Sequence, residues 1–231
     1  MNIALTAHDA KKELTMLVKR DRNRPSVLFW SVGNEEPHHL TEEGRRICKN
    51  LISFVRKLDN TRYVMSAVSN DPDIATVYDE LDVIGVNYNL NKYEYIHEKH
   101  PDKGIFSSEC CATGTTRGWY NADCPEKSYM SAYDKDTNHW FLGRENTWKF
   151  IAEREWILGS YQWIAFEHRG ETLWPRLCSQ SGAVDMFLQK KDAFYQNQTH
   201  WIDDKPLVHL LPHWNFEGME GEHISVWAYT N

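Results

Sequence analysis

The stretch Arg24–Pro37, RPSVLFWSVGNEEP, decides the fold. Pro25 opens it, an apolar run follows to Val32, and Gly33 ends it just before Asn34, Glu35 and Glu36. A short apolar run fenced by Pro and Gly reads as a buried strand. This one delivers a carboxylate at its carboxyl end. Residues 103–118, KGIFSSECCATGTTRG, repeat the design, with an apolar strand leading to Glu109. Between the two lie further strand-like runs at 62–68 (RYVMSAV) and 81–88 (LDVIGVNY), and a fifth, GSYQWIAF, begins at Gly159. Helical patterns separate the runs. Strand and helix in alternation predict an α/β fold, a parallel sheet covered by helices. Parallel crossovers bring the carboxyl ends of such strands to one face.

The helices have their own signals. Ala10, Leu14, Leu17 and Val18 make one stripe in AHDAKKELTMLVKRD. Thr41 is positioned to cap a helix that carries Glu42 and Glu43 in its first turn. Ile47, Leu51, Phe54, Val55 and Leu58 are its expected apolar face. Shorter helices are expected over 73–80 and 93–99, and longer ones over 145–157 and 190–201. A polar loop containing Gly and Pro runs from Ala112 to about His139. After Pro206 the helical periodicity ends. PLVHLLPHWNFEGMEGEHISVWAYTN places a Gly-rich turn between two strand-like runs, the expected first hairpin of a separate β-domain. The domains expected are therefore 1–205 and 206–231.

Composition narrows the function. The chain has 231 residues, 41% of them hydrophobic, enough for a substantial core. A net charge of -7 offers no basic footprint for nucleic acid or an anionic membrane surface. No run approaches the length of a membrane helix, and MNIALTAHDAKK lacks the pattern of a signal peptide. The cysteines, Cys48, Cys110, Cys111, Cys124 and Cys178, are odd in number and without paired ligand spacing, so reduced thiols in a cytoplasmic protein are expected. His38 and His39 lack a third ligand, and no metal or other cofactor is expected. Ten Trp and eleven Tyr suit a site for neutral sugars, whose faces stack on rings, although most aromatics in any chain are packing. Two carboxylates converging in a cleft are what glycoside hydrolysis needs, a proton donor for the leaving oxygen and an anion facing the anomeric carbon. Glu36 leaves the same strand as Glu35, and alternation lets one of the two face the cleft.

These motifs resemble glycoside hydrolase family 2, the family of β-galactosidases, β-glucuronidases and β-mannosidases. KRDRNRPSVLFWSVGNEEP (19–37) is similar to its acid/base region and GIFSSECCATGTTRGWY (104–120) to the nucleophile region of its β-galactosidase-like members. GSYQWIAFEHRGE (159–171), SGAVDMFLQKKDAFY (181–195) and PLVHLLPHWNF (206–216) resemble its last barrel strand, last helix and exit. The resemblance implies a TIM barrel acting on a carbohydrate. It matches Glu35 to the general acid/base, Glu109 to the nucleophile and Asn34 to the residue that hydrogen-bonds the sugar 2-hydroxyl. Tyr88 falls where relatives keep a tyrosine against the nucleophile, and Trp163 matches an aromatic floor. Arg117 and Trp119, just beyond the nucleophile, lie in a loop that barrel enzymes use for binding. The segment PRLCSQSGAVDMFLQKKDAF (175–194) contains no Asn, whereas β-glucuronidases carry an Asn-x-Lys motif there. That favours a galactoside, with Arg176 the remaining candidate for a sugar carboxylate.

Two departures from the pattern matter. Cys110 and Cys111 stand where the family usually continues with small residues. Five strands can be counted, where a TIM barrel has eight. The expectation is an incomplete barrel that begins before the family's fourth strand, with free sheet edges that favour self-association and little activity by itself. A non-catalytic remnant that binds glycan or only associates is the reading from another class.

Overall fold

The chain is described from a computed structural model covering residues 7–136, 142–172 and 174–231. The end of the expected 112–139 loop therefore lies outside the described residues. The sheet has the order β1 (Phe29–Asn34), β2 (Tyr63–Val68), β3 (Val83–Asn87), β4 (Gly104–Cys110) and β5 (Ile157–Gln162), which is also their order along the chain. The strands run parallel, with registers such as Trp30 opposite Val64 and Ala67 opposite Gly85. Among the described residues β1 and β5 are the outer strands. The helices α1 (Ala7–Asp21), α2 (Glu42–Leu58) and α3 (Tyr93–Lys99) fall between or before the strands, as the alternation predicts.

Two compact units divide the chain. The first holds Met1–Ser108 and Glu155–Ser160. Its sheet is sealed by Met65, Val83 and Phe106, with the Phe29 ring edge-on to Phe106 at 5.4 Å between centroids. All five residues of β3 are buried, the mark of a strand covered on both faces. Thr41 does cap α2, its hydroxyl accepting the Gly44 N–H at 3.1 Å. The buried face of α2 is rotated from the expected stripe. It consists of Gly44, Cys48, Ile52 and Val55, while Ile47 is exposed. A row containing Gly and Cys has little apolar weight in a sequence. Gly44 belongs there because a Cβ would stand 1.9 Å from the His38 carbonyl oxygen. On α1, likewise, Val18 is buried and Leu17 is not.

At the amino ends of the strands, Asp59 ties three elements together. It ends α2 and accepts hydrogen bonds from Trp30 Nε1 (3.0 Å), the Thr61 backbone and hydroxyl (2.8 and 2.6 Å) and Arg62 (2.8 Å). Burial pushes this carboxyl up, but the hydrogen bonds from Thr61, Trp30 and Arg62 outweigh it and hold it well below the ordinary range. A depressed folded value stabilises the protein above the unfolded carboxylate value of about 4, and the benefit drains away as pH falls towards the folded value. Asp59→Asn should therefore lower the melting temperature at neutral pH, and its deficit against wild type should shrink on acidification from about pH 5 to about pH 2. Thermal melts across that range check this, and a constant deficit contradicts it.

The second unit holds Glu109–Arg154 and Tyr161–Asn231. Its helices are α4 (Arg144–Ala152) and α5 (Asp192–Trp201). The expected helix over 145–157 stops at Ala152, and Ile157 already belongs to β5. Pairing is the reason. The Trp156 carbonyl accepts the Ile105 N–H at 3.2 Å and its ring stacks on His97 at 4.3 Å, which draws this stretch into strand geometry despite its helical composition. The hairpin after Pro206 forms as expected from β6 (Val208–Leu211) and β7 (Trp227–Thr230). A lone hairpin is marginal in water, and this one is supported. Leu211 and Tyr229 pack with Tyr133, while His209 meets Asp192 at 2.7 Å and stacks on Tyr195.

Candidate active site

Each candidate carboxylate leaves the carboxyl end of a strand. Glu35 follows β1 directly. In β1 three steps from Ser31 to Asn34 face two from Met65 to Ala67, a bulge that re-aims the strand just before the glutamate. Gly33 makes the bulge close, since a Cβ there would lie 2.8 Å from Ser66 Oγ and 3.2 Å from His39 Nε2. Ser66 Oγ donates to the Gly33 carbonyl at 2.9 Å and lies 3.1 Å from His39 Nε2. Burial lowers the His39 pKa, so its ring is a neutral prop rather than a charge. His38 is exposed, and the described residues contain no cluster of three or more potential metal ligands.

Glu35 itself has φ 53°, with its N–H on the Ala67 carbonyl at 2.9 Å. Its carboxylate Oε1 accepts from Asn87 Nδ2 at 2.9 Å, and the same amide donates to Asn34 Oδ1 at 3.0 Å. Asn87 is fully buried and accepts the Ser108 hydroxyl at 2.7 Å. Sequence reasoning missed Asn87. The available signal was a polar residue ending an otherwise apolar strand buried on both faces, which must find partners. Tyr88, next along, is half-buried with φ 55°, and Asn89 follows at φ 49°.

In the second unit Glu109 is the penultimate residue of β4 and half-buried. The carbonyl of its neighbour Cys110 accepts the Trp163 N–H at 2.8 Å, so the expected floor residue is anchored beside the end of β4. The Trp163 ring meets His168 edge-on at 5.9 Å. Cys110 and Cys111 are buried with their sulfurs 3.5 Å apart, and no disulfide joins cysteines among the described residues. Arg117 is half-exposed, and its Nε donates to Asp185 Oδ2 at 2.6 Å. It lines a cleft of about 570 Å³ with Glu167, Arg169, Leu177, Met186 and Phe187. Arg176 contacts the Met130 sulfur, and Trp119 donates to the Ala122 carbonyl.

Behind that cleft the Lys191 ammonium, 1% exposed, reaches Glu167 Oε1 and the Gln180 carbonyl at 2.8 Å each. Burial lowers the lysine's pKa and Glu167 opposes the shift. Removing one partner leaves a buried charge uncompensated, so Glu167→Ala should destabilise the protein by about 3–5 kcal/mol. A urea-unfolding midpoint within error of wild type would contradict that.

A parallel sheet covered by helices is the framework of a (β/α) barrel. The model of "Glycosyl hydrolases family 2, TIM barrel domain" matches residues 5–125. The chain belongs to that family. It is 30% identical to Beta-galactosidase BoGH2A of Bacteroides ovatus over 98% of this chain and 33% of the relative. It is 27% identical to a Beta-glucuronidase of Bacteroides fragilis, over 87% of this chain and 30% of the relative. A crystal structure of a beta-glycosidase from Bacteroides vulgatus superposes with a TM-score of 0.79 at 32% identity, covering 96% of this chain and 32% of that one. The chain thus spans about a third of the length of these relatives. No helix among the described residues is long and apolar enough to cross a membrane.

Proposed function

We propose that this chain is the catalytic region of a retaining β-glycosidase of β-galactosidase type, hydrolysing terminal β-galactosides through a glycosyl-enzyme intermediate. The observation that carries the proposal is Glu35, set by a bulge at the end of β1 and held with Asn34 by one buried amide. Glu109 attacks the anomeric carbon as its carboxylate, and Glu35 gives its proton to the departing oxygen. Glu35 then takes a proton from the water that releases the sugar. Retention requires the two carboxyls about 5–5.5 Å apart. Asn34 serves the 2-hydroxyl, Trp163 the sugar face, and Tyr88 and Arg117 complete the binding residues. Residues 1–205 are the catalytic domain in this reading, and 206–231 open the β-domain after it.

The galactoside reading is supported by the lack of Asn in residues 175–194, where β-glucuronidases carry Asn-x-Lys, and by two cations already paired, Arg117 with Asp185 and Lys191 with Glu167. A uronate would have to draw Arg117 or Lys191 from its carboxylate, or be met by Arg176, which contacts the Met130 sulfur. The similarity to enzymes named Beta-glucuronidase supports β-glucuronides as the alternative. Turnover of chromogenic β-glycosides by the intact protein that carries this chain, with NMR of the first-formed anomer, tests both. Cleavage of the β-galactoside with the β anomer formed first is expected. Preference for the β-glucuronide replaces the sugar assignment, and a first-formed α anomer overturns the double displacement.

A further inference from the structure

We infer that Asn87 is the positioning residue for the proton donor, and that it fixes which way the Asn34 amide faces the sugar. The inference rests on the reading of Glu35 as general acid/base and extends it to a residue that does not touch substrate.

The neighbours of Asn87 fix the orientation of its amide. A buried asparagine offers two N–H donors and one carbonyl acceptor. Around Asn87 stand the Glu35 carboxylate, the Asn34 side-chain oxygen and the Ser108 hydroxyl. A carboxylate accepts only, whereas a hydroxyl can give its proton. With Nδ2 towards Glu35 and Asn34 and Oδ1 towards Ser108, all three contacts are satisfied. The flipped amide would set its oxygen against the carboxylate. Ser108 therefore acts as a lock on the rotamer and orientation of Asn87, and Asn87 is in turn the lock on Glu35.

The need for such a lock follows from the exposure of Glu35. The glutamate is exposed and leaves the strand through left-handed backbone, so little packing restrains its side chain. Asn87, by contrast, has no exposed surface. Tying Oε1 to a rigid donor leaves the other carboxyl oxygen, Oε2, to carry the proton towards the leaving group. The same amide draws Asn34 Oδ1 towards buried Asn87, which leaves the Asn34 NH₂ as the group to face the sugar. It must then donate to the sugar 2-hydroxyl rather than accept from it. One buried residue sets both the acid and the polarity of the neighbouring sugar contact.

Positioning of an acid has a signature that a structural defect lacks. Protonation matters when the leaving group is poor and hardly at all when it departs unaided. In the intact protein carrying this chain, kcat/KM for a methyl β-glycoside and its 2,4-dinitrophenyl counterpart should be compared for wild type, Asn87→Ala, Asn87→Asp and Glu35→Gln. For Asn87→Ala a loss on the order of 10²-fold is expected with the methyl glycoside, the scale of a misplaced catalytic group, and at least about tenfold less with the dinitrophenyl glycoside. Asn87→Asp keeps the shape but replaces both donors with acceptors, so its discrimination should be at least as large. It also guards against a fold lost to truncation. Equal losses on both substrates in these variants, alongside a Glu35→Gln protein that discriminates, overturn the positioning role. A Glu35→Gln protein that does not discriminate overturns the acid assignment, and the inference falls with it.

Discussion

Glu109→Gln is expected to abolish turnover of every β-glycoside, activated or not, by on the order of 10⁵-fold or more. The amide cannot form the glycosyl-enzyme, and no leaving group is good enough to dispense with the nucleophile. The smaller Glu109→Ala opens space on the face from which the carboxylate would attack. Azide entering there should yield the α-glycosyl azide from a dinitrophenyl β-glycoside. Steady-state rates and NMR of the azide product check both statements. Residual hydrolysis of the activated substrate near wild-type rates would remove Glu109 from the mechanism.

Glu35→Gln is expected to behave differently. With alkyl glycosides the loss should reach about 10²–10⁴-fold, the usual contribution of a general acid. With dinitrophenyl glycosides kcat/KM should barely change, while kcat falls because water attacks the intermediate without a base. Azide needs no base, so it should restore kcat and give the β-glycosyl azide, approaching from the face opposite Glu109. If the two carboxylate variants gave the same azide anomer, their roles would have to be reassigned. Glu36→Gln is the natural control, because it leaves the same strand one residue later.

Much of this was legible in the sequence, and what was missed has physical causes. The Pro25-to-Gly33 fence and the apolar runs located all five strands because buried parallel strands read as continuous apolar segments. The exits at Glu35 and Glu109 followed from the same runs. Helix faces were harder. Gly44 and Cys48 line the inner side of α2 through close approach and small volume, which hydrophobicity does not register. The early end of α4 was invisible because a strand partner far along the chain takes over from Trp156. Asn87 was overlooked for a related reason. Its importance lies in three contacts with residues 21 to 53 positions away, and nothing local marks it.

The left-handed backbone at Glu35, Tyr88, Asn89 and Cys111 carries a consequence for laboratory evolution. A side chain other than glycine or asparagine held in that region costs on the order of 1–3 kcal/mol. Glycine at positions 35, 88 or 111 would relax the chain at once. A library selected for heat resistance alone should therefore drift towards glycine at these exits, and at position 35 the gain would be a robust protein with no proton to give. Selection on this scaffold has to score survival and turnover together, because at the ends of these strands the two select for different residues.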